Sequence, residues 1–557
     1  MSVRIIECVP NFSEDATRRS RRHRRRRPYH GGRDVARRQS GQDDFEPLIF
    51  TFAGEPERVI EAAVAAAKRG GELIDMRRHS GAHPRFGAMD VCPLVPISGV
   101  TMEETVAYAR ELGRRLGEEL GMTIFFYENA ATRPERKNLA TVRSGEYEGL
   151  EAKLAKPEWK PDFGPAKFDA KRGATAVSAR DFLVAYNVNF NSTSVKLANS
   201  IAFNVREKGK LKRDAKGEVV LDAKGERVFT PGTLKSVKAI GWFIEEYGVA
   251  QLSMNLTNVS VTPVHVAFDE VCRQAEQRGL RVTGSEIVGL VPLKSMLDAG
   301  VHYLRKQGRS TGVSEAEIVK IAVKSLGLED LGSFDPQERI IEYVLAKGGP
   351  KRLADLSLRA FTEVTASESV APGGGSVSAA CGALGAALAT MVANLSIDKW
   401  KERYEELDAV AVRGRDAHAE LTRLVDADTD AFNLIAEANR MPQGTADEKA
   451  AREAAIQEAT RAAIRVPLRV MEASVEALEL ALAMADTGLE ASASDAGVGA
   501  LAARAAVRGA GLNVRINCPG LTDAKEREAF LAQAAALERR AEELESRAIA
   551  AVEAKLG

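Results

Sequence analysis

Two histidines and an arginine share one short stretch of this chain, and side chains of these types can move protons and bind anions. His79, His83 and Arg85 lie in the segment His79-Ser-Gly-Ala-His83-Pro-Arg-Phe-Gly87. A histidine titrates near neutral pH, so one held in a loop beside a rigid strand suits proton transfer. The alternative is that both histidines are structural loop residues.

The element that must position this loop is the apolar run Val91–Ile97, which the sequence predicts to be a buried strand. Pro84 favours an extended conformation at His83. Arg85 could bind a substrate carboxylate or form a structural ion pair. His79 could orient His83 or be merely structural, and these alternatives stay open.

A single carboxylate interrupts an apolar stripe on a predicted helix in the C-terminal half. Spacings of three and four residues place Asp428 on one face with Leu421, Leu424, Val425, Phe432 and Ile435. A carboxylate is rarely buried without a partner or a chemical role, and desolvation should raise its pKa and improve it as a base. Asp430 turns away from this face, and Asp426 is the lesser candidate.

A glycine-rich segment, Ala371-Pro-Gly-Gly-Gly-Ser-Val377, is predicted to open a helix near Ser376. Exposed amides at the start of a helix can bind an anion or a carbonyl. The alternative is a helix cap with tight packing between helices. Two interpretations are open for Asp495, as for Ser376: each residue is either part of a site or a helix cap.

The composition changes near residue 330 of the 557-residue chain, which is long enough for several domains. Before this point, β-rich runs alternate with helical patterns, which indicates α/β or α+β layers. From about Leu353 alanine dominates and helical periodicity continues, which predicts a helical bundle. The segment Ala346-Lys-Gly-Gly-Pro350 is typical of a linker. The repeated Asp-Ala-Lys-Gly at 214 and 222 predicts a short exposed hairpin.

Several classes of protein are disfavoured. No apolar run is long enough to span a bilayer, and the N-terminus lacks a signal-peptide apolar region. The five cysteines have no metal-ligand spacing, so we expect a reduced cytoplasmic protein without a metal site. Residues 18–38 contain eleven arginines and one acid, a net charge of +10; the whole chain is formally neutral, so the remainder carries −10. We therefore expect no nucleic-acid partner for the body of the protein.

Several ordered segments resemble the formiminotransferase-cyclodeaminase family. In the first half they are Glu7-Cys-Val-Pro-Asn-Phe-Ser-Glu14, His79–Ile97, Trp159–Pro165, Phe182–Asn189 and Ser285–Pro292. In the second half they are Ala371–Val377, Leu421–Asp428, Ser494–Asp495 and Asn513–Asn517. The resemblance implies an α+β fold with two α/β-sandwich-like formiminotransferase subdomains at 1–183 and 184–345. A linker at 346–353 and an all-α helical-bundle cyclodeaminase domain at 354–557 follow.

The resemblance also implies roles for particular residues. His83 matches the family's catalytic histidine and Asp428 its catalytic aspartate. A folate-contacting loop corresponds to Gly164, Pro165, Ala166, Lys167, Phe168, Asp169, Ala170, Lys171, Arg172 and Gly173. Its three cations could attract the carboxylates of a folate tail, or they could be ordinary solvated surface.

Family members transfer a formimino group from formiminoglutamate to tetrahydrofolate and then close the ring to 5,10-methenyltetrahydrofolate with release of ammonia. By resemblance we expect tetrahydrofolate as co-substrate, no tightly bound cofactor, no membrane partner and a homo-oligomer with sites between subunits. Formylglutamate is chemically close to the formimino donor and stays open as an alternative. Two other hypotheses are a cyclodeaminase with a damaged, folate-binding transferase half, and a non-catalytic scaffold.

Between residues 15 and 47 the resemblance disappears. The family has a helix, a strand and a glycine turn there, whereas this chain has a dense arginine run that opposes a packed helix and favours disorder. One choice of permissible codons for residues 21–47, read one base later, encodes the family's helix, strand and loop in order. We hypothesise an out-of-frame translation, under which the first subdomain lacks a core helix and a strand. The rivals are a basic arm that binds RNA or an acidic surface, and a lineage-specific loop.

Overall fold

The structure, a computed structural model, describes residues 4–13, 35–39, 48–78, 85–347 and 352–557. By its contacts the chain divides into two compact units. One comprises Met1–Ala299 with Ala322–Gly349, and the other Gly300–Ile321 with Pro350–Gly557. The predicted fold class is confirmed, since a mixed region of strands and helices precedes an all-helical region. Residues 300–321, assigned from sequence to the second transferase subdomain, group with the helical unit.

The first unit contains a seven-stranded sheet, whose order is β3, β4, then β1 with β2, then β5, β7 and β6. Strands β5, β7 and β6 run parallel to one another, and the other pairings are antiparallel. The strand bounds are β1 Ile5–Cys8, β2 Asn11–Phe12, β3 Val35–Gln39, β4 Leu48–Gly54, β5 Met89–Ser98, β6 Thr123–Glu128 and β7 Ala174–Ala179. The predicted strand over Val91–Ile97 is thus confirmed as β5.

Helices cover both faces of this sheet. Helices α1 (Pro56–Leu73) and α2 (Met102–Leu120) share a core with the side chains on one face, such as Ile6, Cys8 and Leu94. The short helices α3 (Leu139–Arg143) and α4 (Leu150–Leu154) cover part of the other face, around Val91 and Phe125. Other side chains that alternation places on that second face, such as Glu7, Val95 and Ser178, are also buried.

A second, antiparallel sheet follows in the order β11, β12, β8, β13. Its strands are β8 Val184–Phe190, β11 Val237–Ile244, β12 Val249–Leu256 and β13 Val282–Val288. The helices that follow β7 in this region are α5 Val195–Val205, α6 Val264–Glu276, α7 Leu293–Lys306, α8 Glu315–Ser325, α9 Pro336–Arg339 and α10 Ile341–Ala346. Ser194 caps α5 by accepting a hydrogen bond from Leu197 N.

The repeated Asp-Ala-Lys-Gly segments form two turns rather than one. Each lies between bridged residues, Arg213 with Val219 and Leu221 with Arg227, and β9 (Lys210–Leu211) pairs with β10 (Phe229–Thr230) around them. Gly217 and Gly225 take positive φ angles of 85° and 79°, which glycine adopts at little cost. The prediction of an exposed turn segment is confirmed, and the repeat explains why there are two.

Most of the segment proposed to be out of frame, residues 14–34 and 40–47, lies outside the described residues. Val35–Gln39 is described as β3, with Ala36 opposite Phe52 on β4. The expectation that this region lacks a strand is therefore wrong. Strand pairing uses backbone groups that every residue except proline supplies, so an unusual sequence can still pair with the edge of β4. The frameshift stays a hypothesis.

The second unit is a bundle of long helices. Its helices are α11 Leu358–Thr365, α12 Gly374–Lys399, α13 Tyr404–Asn439, α14 Ala446–Thr487, α15 Ala493–Asn517 and α16 Ala524–Leu556. Small residues on the inner side of α12 bring its backbone close to its neighbours: a Cβ on Gly385 would lie 2.7 Å from the carbonyl oxygen of Gly499 on α15. One on Gly382 would lie 2.5 Å from Ser474 Oγ on α14. Helix α12 is therefore held by close contacts on several sides.

Among the described residues, α12 is long and apolar enough to cross a membrane by length and composition alone, contrary to the expectation from the sequence. Most of its apolar stretch is buried inside the bundle, however, against α13 and α15. A helix rich in alanine and glycine scores as apolar because small side chains let it occupy the centre of a bundle. Its burial explains its composition without a membrane.

Candidate functional site

Asp428 lies in the C-terminal third of α13, opposite the start of α12. The side chains of Leu421, Leu424 and Val425 on the same face are buried, as the helical spacing predicts. Phe432, expected on this stripe, is 45% exposed, which corrects the prediction. Helix α12 begins at Gly374, so the turns of α13 beyond Asp428 extend past it and lose that neighbour. Asp428 thus occupies the boundary between the helical core and the surface.

The first turn of α12 holds the carboxylate of Asp428. The backbone N–H of Ser376 donates to Asp428 Oδ2 at 2.9 Å, and Ser376 Oγ lies 3.2 Å from the same oxygen. Asp428 Oδ1 lies directly over Gly375, where an added Cβ would be 2.0 Å away. Exposed amides at a helix start favour an anion, and here the anion is a side chain of the protein itself. Oδ1 has no hydrogen-bond partner among the described residues.

Burial raises the pKa of Asp428 above its ordinary value, and the two hydrogen bonds from Ser376 oppose that rise. Ser376 Oγ also lies 2.8 Å from the carbonyl oxygen of Val425, and its one proton can serve only one acceptor at a time. When Ser376 donates to Val425, its oxygen can accept the proton of a neutral Asp428. Ser376 can therefore donate a hydrogen bond to ionised Asp428 and accept one from neutral Asp428.

Replacing Ser376 with alanine should move the pH dependence of a reaction that needs Asp428 as a base. The carboxylate loses a donor, so its pKa rises further, and the basic form appears only at higher pH. We expect the acid limb of the kcat/KM profile for ring closure to shift upward, with a loss at neutral pH smaller than the ~1,000-fold expected for a lost base. An unshifted acid limb would show that Ser376 does not influence this group. Ser378→Ala, which removes a hydroxyl bonded to Gly374 O instead, is the control.

Asp426, two residues before Asp428, has a structural role. Its carboxylate accepts hydrogen bonds from the amides of Leu353, at 2.7 Å, and Ala354, at 3.4 Å. Asp495 lies in the first turn of α15, 18 residues before Asn513, the α15 residue that approaches Gly374. Eighteen helical residues span about 27 Å, so within one chain Asp495 is far from Asp428. Ser376 and Asp428 are the candidates that the helical unit brings together.

In the first unit, the residues matched to the folate loop connect two parts of the sheet. Gly87, two residues before β5, is bridged to Gly173, directly before β7, and a Cβ on Gly87 would lie 1.8 Å from Ala174 O. The ring of Phe168 packs on Tyr147 at 5.5 Å between centroids, and the Tyr147 hydroxyl donates to Ala170 O at 2.5 Å. The loop is therefore fixed at its C-terminal side by backbone and aromatic contacts.

The cations of this loop differ in their availability. Arg172 donates to Asp169 Oδ2 at 2.6 Å and to the carbonyls of Leu120 and Gly121 at the end of α2, so its guanidinium is engaged in structure. Lys171 Nζ lies 3.2 Å from the carbonyl of Glu72. Lys167 is exposed, together with Gly164, Pro165 and Ala166. Of the three cations, Lys167 is the one placed to meet an anion in solution.

Arg85 forms an ion pair, one of its two predicted alternatives. Its guanidinium is buried and donates to Glu148 Oε1 at 2.9 Å, with Glu146 Oε2 at 3.7 Å. His79 and His83 lie outside the described residues, so the predicted role of His83 stays a prediction.

Sequence reasoning missed Gly375, which matters because Asp428 Oδ1 occupies the space of its side chain. The only signal in the sequence was the triple glycine, which does not reveal which glycine is contacted. A cavity of about 510 Å³ also lies in the helical unit, along the middle of α12 and the first half of α13, and does not include Asp428. Within the described parts of the chain, no three metal-ligating side chains gather in a metal-binding arrangement.

Comparisons with known proteins cover nearly the whole chain. Family models match residues 5–180 (formiminotransferase domain, N-terminal subdomain), 185–346 (formiminotransferase domain) and 357–536 (formiminotransferase-cyclodeaminase). Formimidoyltransferase-cyclodeaminase of Mus musculus is 41% identical over 524 residues, or 93% of each chain. Glutamate formimidoyltransferase of Thermoplasma acidophilum is 38% identical over 57% of this chain and 98% of its own. Methenyltetrahydrofolate cyclohydrolase of Methylorubrum extorquens is 40% identical over 33% of this chain and 93% of its own.

Proposed function

This chain belongs to the formiminotransferase-cyclodeaminase family, and we propose that it is a bifunctional folate enzyme that transfers a formimino group to tetrahydrofolate and then closes the folate ring. The similarity extends over both halves of full-length bifunctional relatives, which favours two activities over a cyclodeaminase with a damaged transferase half. Tetrahydrofolate acts as co-substrate, and the proposal includes no tightly bound cofactor.

The proposal of ring closure, the second activity, depends on the arrangement of Asp428. One carboxylate oxygen is fixed by Ser376, and the other, Oδ1, is left to accept a proton. In ring closure N10 of 5-formiminotetrahydrofolate attacks the formimino carbon, and Asp428 accepts the proton that N10 loses. The carbon–nitrogen bond to the amino leaving group then breaks, and that nitrogen departs as ammonia after receiving a proton. A base with a raised pKa is better suited to both transfers.

The first activity is assigned to the loops that precede β5 and β7. Attack by N5 of tetrahydrofolate on the formimino carbon needs a base for the N5 proton and an acid for the departing amine of glutamate. His83 is the proposed group for both transfers, because a histidine titrates in the required range. The loop from Gly164 to Gly173 is proposed to hold the folate, with Lys167 toward its glutamate tail.

Separate assays of the two half-reactions test this function. We expect the protein to form 5-formiminotetrahydrofolate from formiminoglutamate and tetrahydrofolate, and to convert supplied 5-formiminotetrahydrofolate to 5,10-methenyltetrahydrofolate. Ring closure without transfer would favour the damaged-transferase alternative. Absence of both reactions would favour the scaffold. Formylglutamate, assayed as donor beside formiminoglutamate, decides between the two donor types.

His83→Ala should lower kcat of formimino transfer by about 100-fold, the lower end of the range for loss of a general acid–base group. Ring closure of supplied 5-formiminotetrahydrofolate should be unchanged, because it depends on Asp428. The matched control is His302→Ala, at a histidine on α7 whose ring meets that of Tyr303 edge to face. Transfer at the wild-type rate in His83→Ala would remove His83 from the mechanism.

We propose a homo-oligomer, supported by two exposed apolar stripes in the helical unit. Leu384, Met391 and Leu395 lie on one face of α12, and Val498, Leu501, Leu512 and Ile516 lie on one face of α15. Contiguous exposed apolar surface of this kind marks a protein contact. Sedimentation analysis should show an oligomer that Leu384→Glu with Leu512→Glu dissociates, while Leu358→Glu, at an exposed leucine outside the stripes, does not. A monomeric wild-type protein would contradict the proposal.

A cytoplasmic location is a further part of the proposal, supported by the spacing of the cysteines.

A further inference from the structure

Asn513 of α15 borders the same helix start that holds Asp428. A Cβ added to Gly374 would lie 3.5 Å from Asn513 Nδ2 and 3.8 Å from its Oδ1, and one added to Gly375 would lie 2.0 Å from Asp428 Oδ1. Consecutive Cα atoms are about 3.8 Å apart and carbon–carbon bonds are about 1.5 Å long, which puts the two side-chain oxygens within about 13 Å of each other. The first turn of α12 is therefore approached by a carboxylate from α13 and by a carboxamide from α15.

The carboxamide of Asn513 is oriented but only partly used. Its Nδ2 donates to the carbonyl oxygen of Gly509, one turn earlier on α15, at 2.9 Å, and this bond fixes which way the amide group faces. The bond uses one of the two Nδ2 protons, and Oδ1 accepts no hydrogen bond from a described residue. Asn513 is half-buried, so one donor and one acceptor are available to a ligand.

The space in front of α12 is open. A Cβ on Gly373, the residue before the helix, would meet no atom within 4 Å. Gly373 also supplies no side chain to cap the helix. A ligand that enters this space meets Asp428 Oδ1 and the free donor and acceptor of Asn513.

A tetrahydropterin ring offers groups that match this arrangement. Its pyrimidinone ring carries an N3–H donor beside the O4 acceptor, and a carboxamide can bind both at once, as asparagine and glutamine bind the edge of adenine. N3 lies six bonds from N10, or about 7 Å. With a hydrogen bond of about 3 Å at each end, the acceptors of the N3 and N10 protons can be up to about 13 Å apart. That distance is compatible with the separation between Asn513 and Asp428.

We propose that Asn513 binds the N3–H and O4 edge of the pterin ring of 5-formiminotetrahydrofolate. With that edge held by the carboxamide, N10 lies toward Asp428 Oδ1, which accepts its proton during ring closure. Asn513 binds the substrate and takes no part in the proton transfer. This inference rests on the proposed function and adds the group that recognises a 4-oxo pterin.

Inhibition of ring closure tests this role, because it reports on the helical site while the transferase half binds folate elsewhere. 5-Formyltetrahydrofolate has the shape of the substrate, with oxygen in place of the formimino nitrogen. Its 4-amino-4-deoxy analogue has an acceptor at N3 and a donor at position 4, so donor and acceptor are exchanged. The bond to Gly509 keeps the Asn513 amide from turning over to match it. We expect the wild-type enzyme to bind the 4-oxo inhibitor at least ~30-fold more tightly, and Asn513→Ala to reduce this preference to less than ~3-fold.

The kinetics of Asn513→Ala should separate binding from proton transfer. KM for 5-formiminotetrahydrofolate should rise by at least ~30-fold, with kcat within about fivefold of wild type. The acid limb of the kcat profile should not move, because the hydrogen bonds between Ser376 and Asp428 are untouched. A shifted acid limb would assign Asn513 to the environment of the base and overturn the inference.

Asn517→Ala is the matched control, one turn further along α15. Asn517 is also half-buried, and its Nδ2 donates to a backbone carbonyl, that of Ala463, at 2.9 Å. This variant should keep the wild-type preference for the 4-oxo inhibitor. An Asn513→Ala enzyme that retains the ~30-fold preference would overturn the inference. So would an Asn517→Ala enzyme that loses the preference equally.

Two results separate this inference from the proposed function. Calorimetric titration with 5-formyltetrahydrofolate should show two classes of site, of which Asn513→Ala weakens one and Asn517→Ala weakens neither. That pattern in a protein that closes no ring would overturn the proposed ring closure and support folate binding by Asn513. Ring closure by a wild-type enzyme that both inhibitors block equally would overturn the role of Asn513 and leave the proposed function standing.

Discussion

Asp428→Asn is expected to lower kcat of ring closure by about 1,000-fold and to leave formimino transfer unchanged. Asparagine has the shape of aspartate and can still accept the Ser376 N–H at Oδ1, so the packing of α12 against α13 is retained. What it lacks is a basic oxygen at the position of Oδ1, over Gly375. The measurement is the formation of 5,10-methenyltetrahydrofolate from supplied 5-formiminotetrahydrofolate, with the transfer rate as an internal check on folding.

Asp426→Asn provides the matched control two residues away. Asp426 holds the amides of Leu353 and Ala354, and an asparagine oxygen can accept the same hydrogen bonds. We expect ring closure within about threefold of wild type in this variant. Ring closure that survives Asp428→Asn but not Asp426→Asn would exchange the roles of the two residues and refute the assignment.

Gly375→Ala should reduce ring closure by a similar ~1,000-fold, although no reacting side chain is replaced. The new Cβ would lie 2.0 Å from Asp428 Oδ1, 2.4 Å from Cγ and 2.6 Å from Oδ2, so the carboxylate must leave its position. Its hydrogen bonds to Ser376 are lost with that movement. Alanine also favours a helix more than glycine does, by about 1 kcal/mol, so the loss should occur in a helix of undiminished propensity.

The neighbouring glycines make this prediction specific. A Cβ on Gly373 would meet no atom within 4 Å, and one on Gly374 would lie at an ordinary 3.5 Å from Asn513 Nδ2. Gly373→Ala should therefore retain ring closure within about threefold, and Gly374→Ala should behave similarly. Formimino transfer should be normal in all three variants. Equal losses at Gly373 and Gly375 would indicate a general effect on the helix start and contradict the steric explanation.

The periodicity of the sequence predicted the placement of Asp428 well, and its surroundings poorly. A spacing of three and four residues identifies one helix face, so Leu421, Leu424 and Val425 were assigned to the core and are buried. The same rule assigned Phe432 to the core and was wrong, because the periodicity of one helix does not indicate where a neighbouring helix begins. Contact with the first turn of α12 is a property of packing between segments about 50 residues apart in the chain.

In the transferase half, prediction from the sequence is limited in a different way. The sequence predicted β5 and the exposed turns, because apolar runs and turn glycines are local signals. It did not predict that Arg172 would be engaged by the carbonyls at the end of α2, which the fold brings to it from about 50 residues away.

The glycines on the inner side of α12 have a consequence for how this protein can change over evolutionary time. Gly375, Gly382 and Gly385 each face an atom that a side chain would displace, so mutation at these three positions should be strongly disfavoured. The outer side, with Leu384 and Met391, is constrained only by whatever covers it. Two rates of substitution are therefore expected along a single helix. The slow positions should follow one another at intervals of seven and three residues, and the fast ones should change together with the surface of a binding partner.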